Sequence, residues 1–389
     1  MKTITVLGSY SGRNAGEAAI LGNLLHDIAN VRSDIQFLVP TINPSFIYRS
    51  FGQYNIEAPG LMPWNGALKI LGIPTFQSMV KTDLVLVTDN MLFDRKFYNP
   101  LVNYLSTVSL IAPFCKKRGV PIVFYNASIG PITSSIGAKA LQKVLDACPL
   151  MILRDKQTKE LLQKWNLRYP DIIINADCAI NTKPPSNERL NEIIQKEGLF
   201  TNPKGTISFT INAYIDKWYS GGTFKRDNFL KLIGATIDYL IDELDVNIML
   251  TVTQVMDLRI NKEILKYVKH GDRIQIITNV NYSYQDIAGL LQRVDIHVGL
   301  RTHSLIFSAA VNTPMVSINS YPKNEGFMRS IKQDDWMIEM NELTFDKLSD
   351  LTMQAWMNRE ETRDILRPIV EKEKLKARRS AMVVSDLLQ

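Results

Sequence analysis

The sequence is poor in the residues on which cross-linked and metal-bound proteins depend. Among its 389 residues there are four histidines and three cysteines, Cys115, Cys148 and Cys178. An odd number of cysteines without the spacing of metal ligands builds neither a disulfide framework nor a zinc site. We therefore expect buried free thiols in a reducing cytosol, with no metal and no bound cofactor.

Long hydrophobic runs are also missing. No stretch of about 18 apolar residues occurs, so no membrane-spanning helix is predicted. The apolar segment within residues 1–8 is too short for a secretion signal and fits a first β-strand better. These two absences predict a cytoplasmic protein.

The glycine patterns of common nucleotide-binding loops are absent. The loop Gly8–Gly16 matches neither the dinucleotide fingerprint nor the Walker A pattern, although its glycines would let backbone amides approach a ligand. A loop that merely needs backbone freedom is the alternative. We also find no nucleic-acid motif and no basic stripe interleaved with aromatic residues, so nucleic acid is not expected as a partner.

The charge is mildly basic, with a net charge of +6 and a pI near 9.0. This balance fits anionic substrates or an anionic membrane surface. The densest basic run covers residues 372–379. We expect a solvated face of the last helix there, and a weak peripheral contact with the inner face of the cell membrane is the alternative.

Length and patterning predict the fold class. A chain of 389 residues with 46% hydrophobic and 22% charged residues is typical of a globular protein with two domains. Strand-like and helix-like segments alternate in both halves, which predicts an α/β fold with two Rossmann-like domains facing across a cleft. The predicted ranges are 1–183 for the N-terminal domain, 184–204 for a linker, 205–343 for the C-terminal domain and 344–389 for a helical tail.

Most predicted elements follow from hydrophobic periodicity. Strands are expected near residues 3–7, 35–39, 84–87, 121–125, 150–153, 172–174, 206–211, 247–252, 273–277, 294–298 and 314–318. Helices are expected near residues 17–31, 100–118, 225–244, 258–269, 284–292 and 304–311. Residues 41–80 contain four prolines, and we expect an irregular, functional or mobile loop there.

Basic side chains follow predicted strands at three points. Arg301 and His303 lie on a turn between a strand and the helix that follows it, where helix N-termini favour anions. Arg154 follows the strand at 150–153, and Lys323 is expected in a loop after the strand at 314–318. The alternatives are that Arg301 caps a carbonyl, that His303 is structural, and that Arg154 pairs with Asp155 or another acid.

Asp89 lies at a further strand end and is a candidate for orienting an acceptor hydroxyl. Its alternative role is to cap the next helix.

Four segments together resemble the polysaccharide pyruvyltransferases, in the family's order and over residues 3–330. They are Asn14-Ala-Gly16-Glu17-Ala, similar to the family's Asn-x-Gly-Asp-x-Ala loop; Leu153-Arg154-Asp155, similar to its Arg-Asp/Glu segment; Gly299-Leu-Arg301-Thr-His303-Ser, similar to its Gly-x-Arg-x-His motif; and Tyr321-Pro-Lys323, similar to its Tyr-Asp-x-Lys region but one residue shorter. Asp177 also resembles the acid of the family's Ala-Asp segment.

The resemblance implies a glycosyltransferase-B-like fold and transfer of a pyruvyl group from phosphoenolpyruvate to a sugar as a ketal, in cell-envelope polysaccharide biosynthesis. It implies no metal or cofactor, with phosphoenolpyruvate as co-substrate and a free or lipid-linked sugar as acceptor. The implied roles are phosphoenolpyruvate binding for Arg154, Arg301 and Lys323, acid catalysis for His303, and acceptor binding for Asn14, Gly16, Glu17 and Asp89. The C-terminal domain would be the donor side.

Two positions depart from the family's pattern. Glu17 replaces an aspartate, and Thr88-Asp89-Asn90 stands where a Gly-Gly-Gly turn is common. A glycosyltransferase of similar fold that uses a nucleotide sugar therefore stays open as an alternative, as does a non-catalytic sugar- or nucleotide-binding relative. A dinucleotide oxidoreductase is a more distant alternative. A homo-oligomer is left open.

Overall fold

The computed structural model describes residues 1–60, 68–95, 97, 103–213, 225–320 and 322–388. Its contacts divide the chain into two compact units. The first unit comprises Met1–Gly12, Ile20–Cys178 and Lys374–Gln389, and the second comprises Arg13–Ala19 and Ala179–Glu373. The predicted domain ranges, which were drawn from composition and periodicity, stay predictions.

The first unit contains a parallel sheet with the order β3-β2-β1-β4-β5-β6-β7. Its strands are β1 Lys2–Leu7, β2 Ile35–Leu38, β3 Ile56–Glu57, β4 Leu84–Val87, β5 Ile122–Ala127, β6 Leu150–Leu153 and β7 Asp171–Ile174. The strand order reverses at β1, which pairs with both β2 and β4. In open α/β sheets, ligands bind beyond the carboxyl ends of the strands at such a reversal.

The helices of the first half connect these parallel strands. They are α1 Ala15–Val31, α2 Pro44–Phe51, α3 Leu68–Val80, α4 Tyr104–Lys117, α5 Ser135–Leu145 and α6 Gln157–Lys164. The expectation of an irregular segment at 41–80 is wrong, because α2, β3 and α3 lie within it. Pro44 begins α2 directly after the cap Asn43, at a position where a helix does not need the missing N–H.

The second unit contains a parallel sheet with the order β10-β9-β8-β11-β12-β13. Its strands are β8 Thr206–Thr210, β9 Asn247–Val252, β10 Ile274–Thr278, β11 Ile296–Gly299, β12 Met315–Asn319 and β13 Met337–Glu339. The later helices are α7 Asn187–Glu197, α8 Arg226–Leu244, α9 Leu258–Glu263, α10 Tyr284–Leu291, α11 Thr302–Ala310, α12 Pro322–Ser330, α13 Phe345–Met357 and α14 Arg359–Asp386. The predicted α/β class, with two helix-connected parallel sheets, is confirmed.

Each sheet has its own hydrophobic core, because its central strands are covered on both faces. Every residue of β5 and of β9 is buried, as expected for strands inside parallel sheets. Phe124 in β5 and Phe209 in β8 are fully buried, and truncating either to alanine should cost about 3–5 kcal/mol. In the described part of the chain, no helix is long and apolar enough to cross a membrane.

The cysteines are free thiols. Cys115 and Cys178 are buried, and Cys148 is half-buried. Burial raises the pKa of Cys115 to about 11, so its thiol stays protonated near neutral pH.

Candidate active site

The turn that enters α11 follows the carboxyl end of β11. Arg301 is the N-cap residue of α11, with an extended backbone at φ −104° and ψ 126°. Its carbonyl accepts hydrogen bonds from the Ser304 backbone N–H at 3.0 Å and from Ser304 Oγ at 2.8 Å. The turn is therefore well fixed, and the helix dipole favours an anion at this position.

The Arg301 guanidinium forms a two-point ion pair with Asp257. Arg301 Nε donates to Asp257 Oδ2 at 2.8 Å, and Nη2 donates to Oδ1 at 2.8 Å. The Ala213 backbone N–H also donates to Asp257 Oδ1 at 2.8 Å. Asp257 is fully buried, whereas the Arg301 side chain is 19% exposed. The orientation of the guanidinium is thus set from within the second unit.

His303 lies in the first turn of α11 and packs against Gly16. A β-carbon at position 16 would overlap the His303 ring at Cγ and Nδ1. Only glycine therefore allows the first turn of α1 to approach the imidazole this closely. The imidazole also lies near Phe307, with ring centroids 6.5 Å apart.

The first turn of α1, which contains Gly16, is held by the segment after β9. The Ala15 N–H donates to the Thr253 carbonyl at 2.8 Å, and the Val255 N–H donates to the Arg13 carbonyl at 3.0 Å. Asn14 Oδ1 accepts from the Gly16 N–H at 2.9 Å and stabilises the turn. Although the segment Arg13–Ala19 follows β1 in the sequence, it belongs to the second unit.

Glu17 is half-buried in the first turn of α1 and belongs to the same segment of the second unit.

Lys323 lies in the first turn of α12, so the expectation of a loop is wrong. Pro322 is tolerated there because the first residue of a helix needs no N–H donor. The next residue, Asn324, is fully buried and donates to the carbonyls of Leu300 at 3.2 Å and Ile318 at 3.3 Å. Tyr321, which was included in the matched segment, lies outside the described residues.

Asn324 also links α12 to α11. Its Oδ1 accepts a hydrogen bond from Thr302 Oγ1 at 2.5 Å. The neighbour of Lys323 in sequence is thereby bonded to the turn that carries Arg301 and His303.

A buried histidine that the sequence analysis did not identify supports this turn. His297 in β11 is fully buried, with Nε2 2.9 Å from Ser304 Oγ and Nδ1 3.1 Å from Ser208 Oγ. Ser304 Oγ donates to the Arg301 carbonyl, so it accepts from the Nε2–H of His297. Burial lowers the pKa of His297 to about 3, so the imidazole is neutral. The sequence signal that could have identified His297 is a single histidine within an otherwise apolar strand.

In the first unit, Arg154 is the centre of a polar cluster at the carboxyl end of β6. Its Nε donates to Ser128 Oγ at 2.8 Å, Nη2 donates to Asp89 at 3.0 Å, and Nη1 donates to Asp177. Burial alone would lower the pKa of Arg154, but the carboxylates of Asp177, Asp89 and Asp155 outweigh burial and raise it. Arg154 is therefore in an ion pair, as the alternative from the sequence allowed, and its partners are Asp89 and Asp177.

Asp155 has a different role. Its Oδ1 accepts from the Thr158 N–H at 2.8 Å, and its Oδ2 accepts from Ser128 Oγ.

The backbone of Asp89 explains a glycine preference at this turn. Asp89 has φ +51°, a left-handed conformation that glycine adopts freely and that aspartate tolerates. Its carbonyl accepts from the Ser128 N–H at 2.8 Å, and its carboxylate accepts from Arg154. The turn that replaces Gly-Gly-Gly therefore supplies a carboxylate where glycines would supply none.

The structure brings the predicted residues together in two groups. Asn14, Gly16 and Glu17 share the second unit with Arg301, His303 and Lys323, whereas Asp89 and Arg154 share the first unit with Asp177. Asp257, which pairs with Arg301, was not predicted, because this contact joins segments that are distant in sequence. Asn324 and His297, which bond Thr302 and Ser304 of the same turn, were not predicted either.

A family model described as polysaccharide pyruvyl transferase matches residues 14–321. The amylovoran biosynthesis protein AmsJ of Erwinia amylovora is 22% identical over 366 residues, which are 84% of this chain and 86% of that protein.

Solved structures of similar fold include Anabaena Alr3699/HepE in complex with UDP, at 14% identity and a TM-score of 0.64, covering 100% of this chain and 99% of that one. The UDP-GlcNAc 2-epimerase of Neisseria meningitidis has 11% identity and a TM-score of 0.66, with the same coverage. A glycosyltransferase from Rickettsia africae has 11% identity and a TM-score of 0.63, again with the same coverage. These likenesses confirm the predicted glycosyltransferase-B-like fold.

The family match spans most of the chain and includes the loop at Asn14, the segment at Arg154, and the turn with Arg301 and His303. It agrees with the resemblance read from those residues. The chain therefore belongs to the polysaccharide pyruvyl transferase family, a family of transferases in polysaccharide biosynthesis.

Proposed function

We propose that this protein transfers a pyruvyl group from phosphoenolpyruvate to two hydroxyls of a sugar, forming a ketal, during the synthesis of a cell-surface polysaccharide. Family membership supports the transferase class, and the biosynthetic name of the relative AmsJ supports the polysaccharide setting. The observation that carries the proposal is the turn entering α11. It holds Arg301 and His303 at a helix N-terminus, against Gly16.

In this proposal the donor binds at that turn. Phosphoenolpyruvate carries its negative charge on a carboxylate and a phosphate, and Arg301, Lys323 and the α11 N-terminus supply positive potential. The Nε–Nη2 edge of Arg301 is bonded to the Asp257 carboxylate. The ion pair keeps the guanidinium oriented before the donor binds, which lowers the entropic cost of binding.

His303 is the proposed general acid. Protonation of C3 of phosphoenolpyruvate turns the methylene into a methyl group and gives C2 oxocarbenium character. One sugar hydroxyl adds to C2, the C2–O bond to phosphate breaks, and the second hydroxyl completes the ketal. Of the two protons that the hydroxyls release, one restores the acid and the other leaves with phosphate. Well-placed acid catalysis is worth roughly 10²- to 10⁴-fold in rate.

The remaining predicted residues keep their proposed roles. Asn14, Gly16, Glu17 and Asp89 are assigned to the acceptor, and Arg154 to the donor. The bonds from Arg154 to Asp89 and Asp177 already compensate its charge, so a donor anion would compete with two carboxylates. The same contacts hold Asp89 in position, and this second effect must be separated from donor binding by experiment.

The first experiment measures phosphoenolpyruvate binding by calorimetry. We expect the wild-type protein to bind and an Arg301→Ala/His303→Ala variant to lose binding, whereas a matched His270→Ala variant keeps it. His270 is the suitable control because it pairs with Asp242, outside the proposed site, at 2.8 Å. Binding of UDP or GDP with no response to phosphoenolpyruvate would contradict the proposal and favour a nucleotide-sugar donor.

A second experiment addresses the reaction. The protein is incubated with phosphoenolpyruvate and a panel of nucleotide-linked and lipid-linked sugars, and phosphate release is measured together with the product mass. The mass expected for the ketal product is that of the sugar plus pyruvic acid minus one water. Donor binding without turnover on any acceptor of the panel would favour a non-catalytic relative.

A further inference from the structure

Three neighbouring helices of the first unit share an unusual composition. α4 packs against both α3 and α5. Within their bounds the three helices contain five lysines, Lys69, Lys116, Lys117, Lys139 and Lys143, and neither aspartate nor glutamate. We call the outward side of these helices the α3–α5 face.

The α3–α5 face exposes large apolar side chains. Ile73 on α3 is 53% exposed, Leu110 and Phe114 on α4 are 55% and 49% exposed, and Ile136 on α5 is 45% exposed. The opposite side of α4 already packs in the core through Leu105, Val108, Ile111 and Ala112. α4 is therefore apolar on both its inner and outer sides, whereas a helix at a water-exposed surface normally has a polar outer side.

Cations border these apolar side chains. Lys116 and Lys117 form the last turn of α4 and are exposed, as is Arg118, which follows them. Lys139 and Lys143 are exposed on α5. Two acids that follow these helices have basic partners: Asp83 lies 3.8 Å from Lys2, and Asp146 lies 3.6 Å from Arg168. Asp94, at the start of α5, is buried and bonded to Thr133 and Ser134.

We propose that the α3–α5 face docks the protein on an anionic lipid membrane. Peripheral membrane proteins insert surfaces of this kind, with apolar side chains among lysines and arginines, at the boundary between lipid headgroups and acyl chains. Negative lipid headgroups complement the exposed cations and attract them to the membrane surface.

A second copy of the chain fits this face less well. In a symmetric dimer the same face occurs on both sides, so cations would be buried without acids from the three helices to pair with them. The basic run at 372–379 on α14 differs in this respect, because glutamate alternates with lysine at its start. We therefore place the membrane contact on the α3–α5 face and not at residues 372–379.

This inference is independent of pyruvyl transfer, because it concerns a surface and not the reaction. It would bring the protein to the layer in which a lipid-linked acceptor resides.

The test is flotation of the full-length protein with vesicles of phosphatidylcholine alone or mixed with phosphatidylglycerol. We expect the wild-type protein to float only with the mixed vesicles. Leu110→Ser/Phe114→Ser and Lys116→Glu/Lys117→Glu should each weaken this binding about tenfold or more. The matched control is Leu375→Ser/Met382→Ser on α14, which also removes two exposed apolar side chains and should bind like the wild type.

Circular dichroism and thermal unfolding check that each variant folds. Because Phe114 also contacts Phe76, Ile73→Ser/Leu110→Ser provides a second apolar variant that spares this contact. Three results would overturn the proposal: no binding of the wild type to mixed vesicles, loss of binding in the α14 variant alone, or a dimer in light scattering that the α4 variant dissociates without any vesicle binding. None of these results bears on phosphoenolpyruvate turnover, which is assayed without vesicles.

Discussion

Arg301 and Asp257 are joined by two hydrogen bonds of 2.8 Å each, and the carboxylate is fully buried. Asp257 follows β9 and Arg301 follows β11, the two strands that flank β8 in the second sheet. Ala213, which follows β8, donates its N–H to the same carboxylate. A single acid thus connects the segments after three neighbouring strands and determines where the guanidinium points.

This pair should show strong coupling in unfolding experiments. Arg301→Ala leaves a fully buried carboxylate without its cationic partner and should cost about 3–5 kcal/mol of unfolding free energy. Asp257→Ala leaves a partly exposed arginine and should cost about 2–3 kcal/mol. The double variant should cost less than the sum of the two. Denaturant unfolding measures all three, and additive effects would contradict the coupling. Asp242→Ala, in an exposed pair with His270, is the control.

The proposed acid makes a prediction about rate rather than affinity. His303→Ala should lower turnover by roughly 10²- to 10⁴-fold, because the proton for C3 would have to come from water. Phosphoenolpyruvate affinity should change much less, because Arg301 and Lys323 remain. Single-turnover kinetics and calorimetry separate the two effects, with His270→Ala as the control. Turnover close to the wild-type rate would eliminate His303 as the acid.

The contact between Gly16 and His303 predicts a steric effect of Gly16→Ala that depends on the His303 ring. Gly16→Ala should cost about 1–3 kcal/mol and should lower activity, because the new methyl group displaces the imidazole. In a His303→Ala background the same substitution should cost almost nothing in stability. Thermal unfolding of the four proteins tests this. An equal cost in both backgrounds would mean that backbone effects, and not the ring, are responsible.

His297 should make stability depend on pH. Burial lowers its pKa from 6.5 to about 3, so below pH 6.5 the unfolded chain binds a proton that the folded chain does not. Its neutral form therefore stabilises the fold above pH 6.5, and this contribution is lost as the pH falls towards 3, by up to about 1.4 kcal/mol per pH unit. His297→Gln should flatten this part of the pH profile. Parallel profiles for variant and wild type would contradict the prediction.

Arg154 distinguishes donor binding from positioning of Asp89. Arg154→Ala should raise the KM for phosphoenolpyruvate about tenfold or more if the guanidinium binds the donor. An increase confined to the KM of the acceptor would contradict the donor assignment and identify Arg154 as the residue that holds Asp89. Steady-state kinetics with both substrates provide the readout. Arg168→Ala is the matched control, because that arginine is 84% exposed.

Local sequence signals determined much of this fold. Strands such as β9 and β11 are short apolar runs with polar residues at their ends, and parallel sheets bury such runs on both faces. The polar residues that follow them, including Arg301 and His303, could be identified because strand ends and helix starts have recognisable patterns. Prolines at the starts of α2 and α12 favoured loops in the prediction, although a proline at the first helical position is compatible with a helix.

Contacts between distant segments were decided only by the tertiary structure. The sequence indicated that Arg301 follows a strand, but not that Asp257 takes two of its donors, nor that Asn324 and His297 support its turn. Gly16, at the start of α1, follows β1 in the sequence, yet it packs on His303 in the second unit. Periodicity reports which face of one element is buried, whereas the partner across a contact depends on how whole elements pack together.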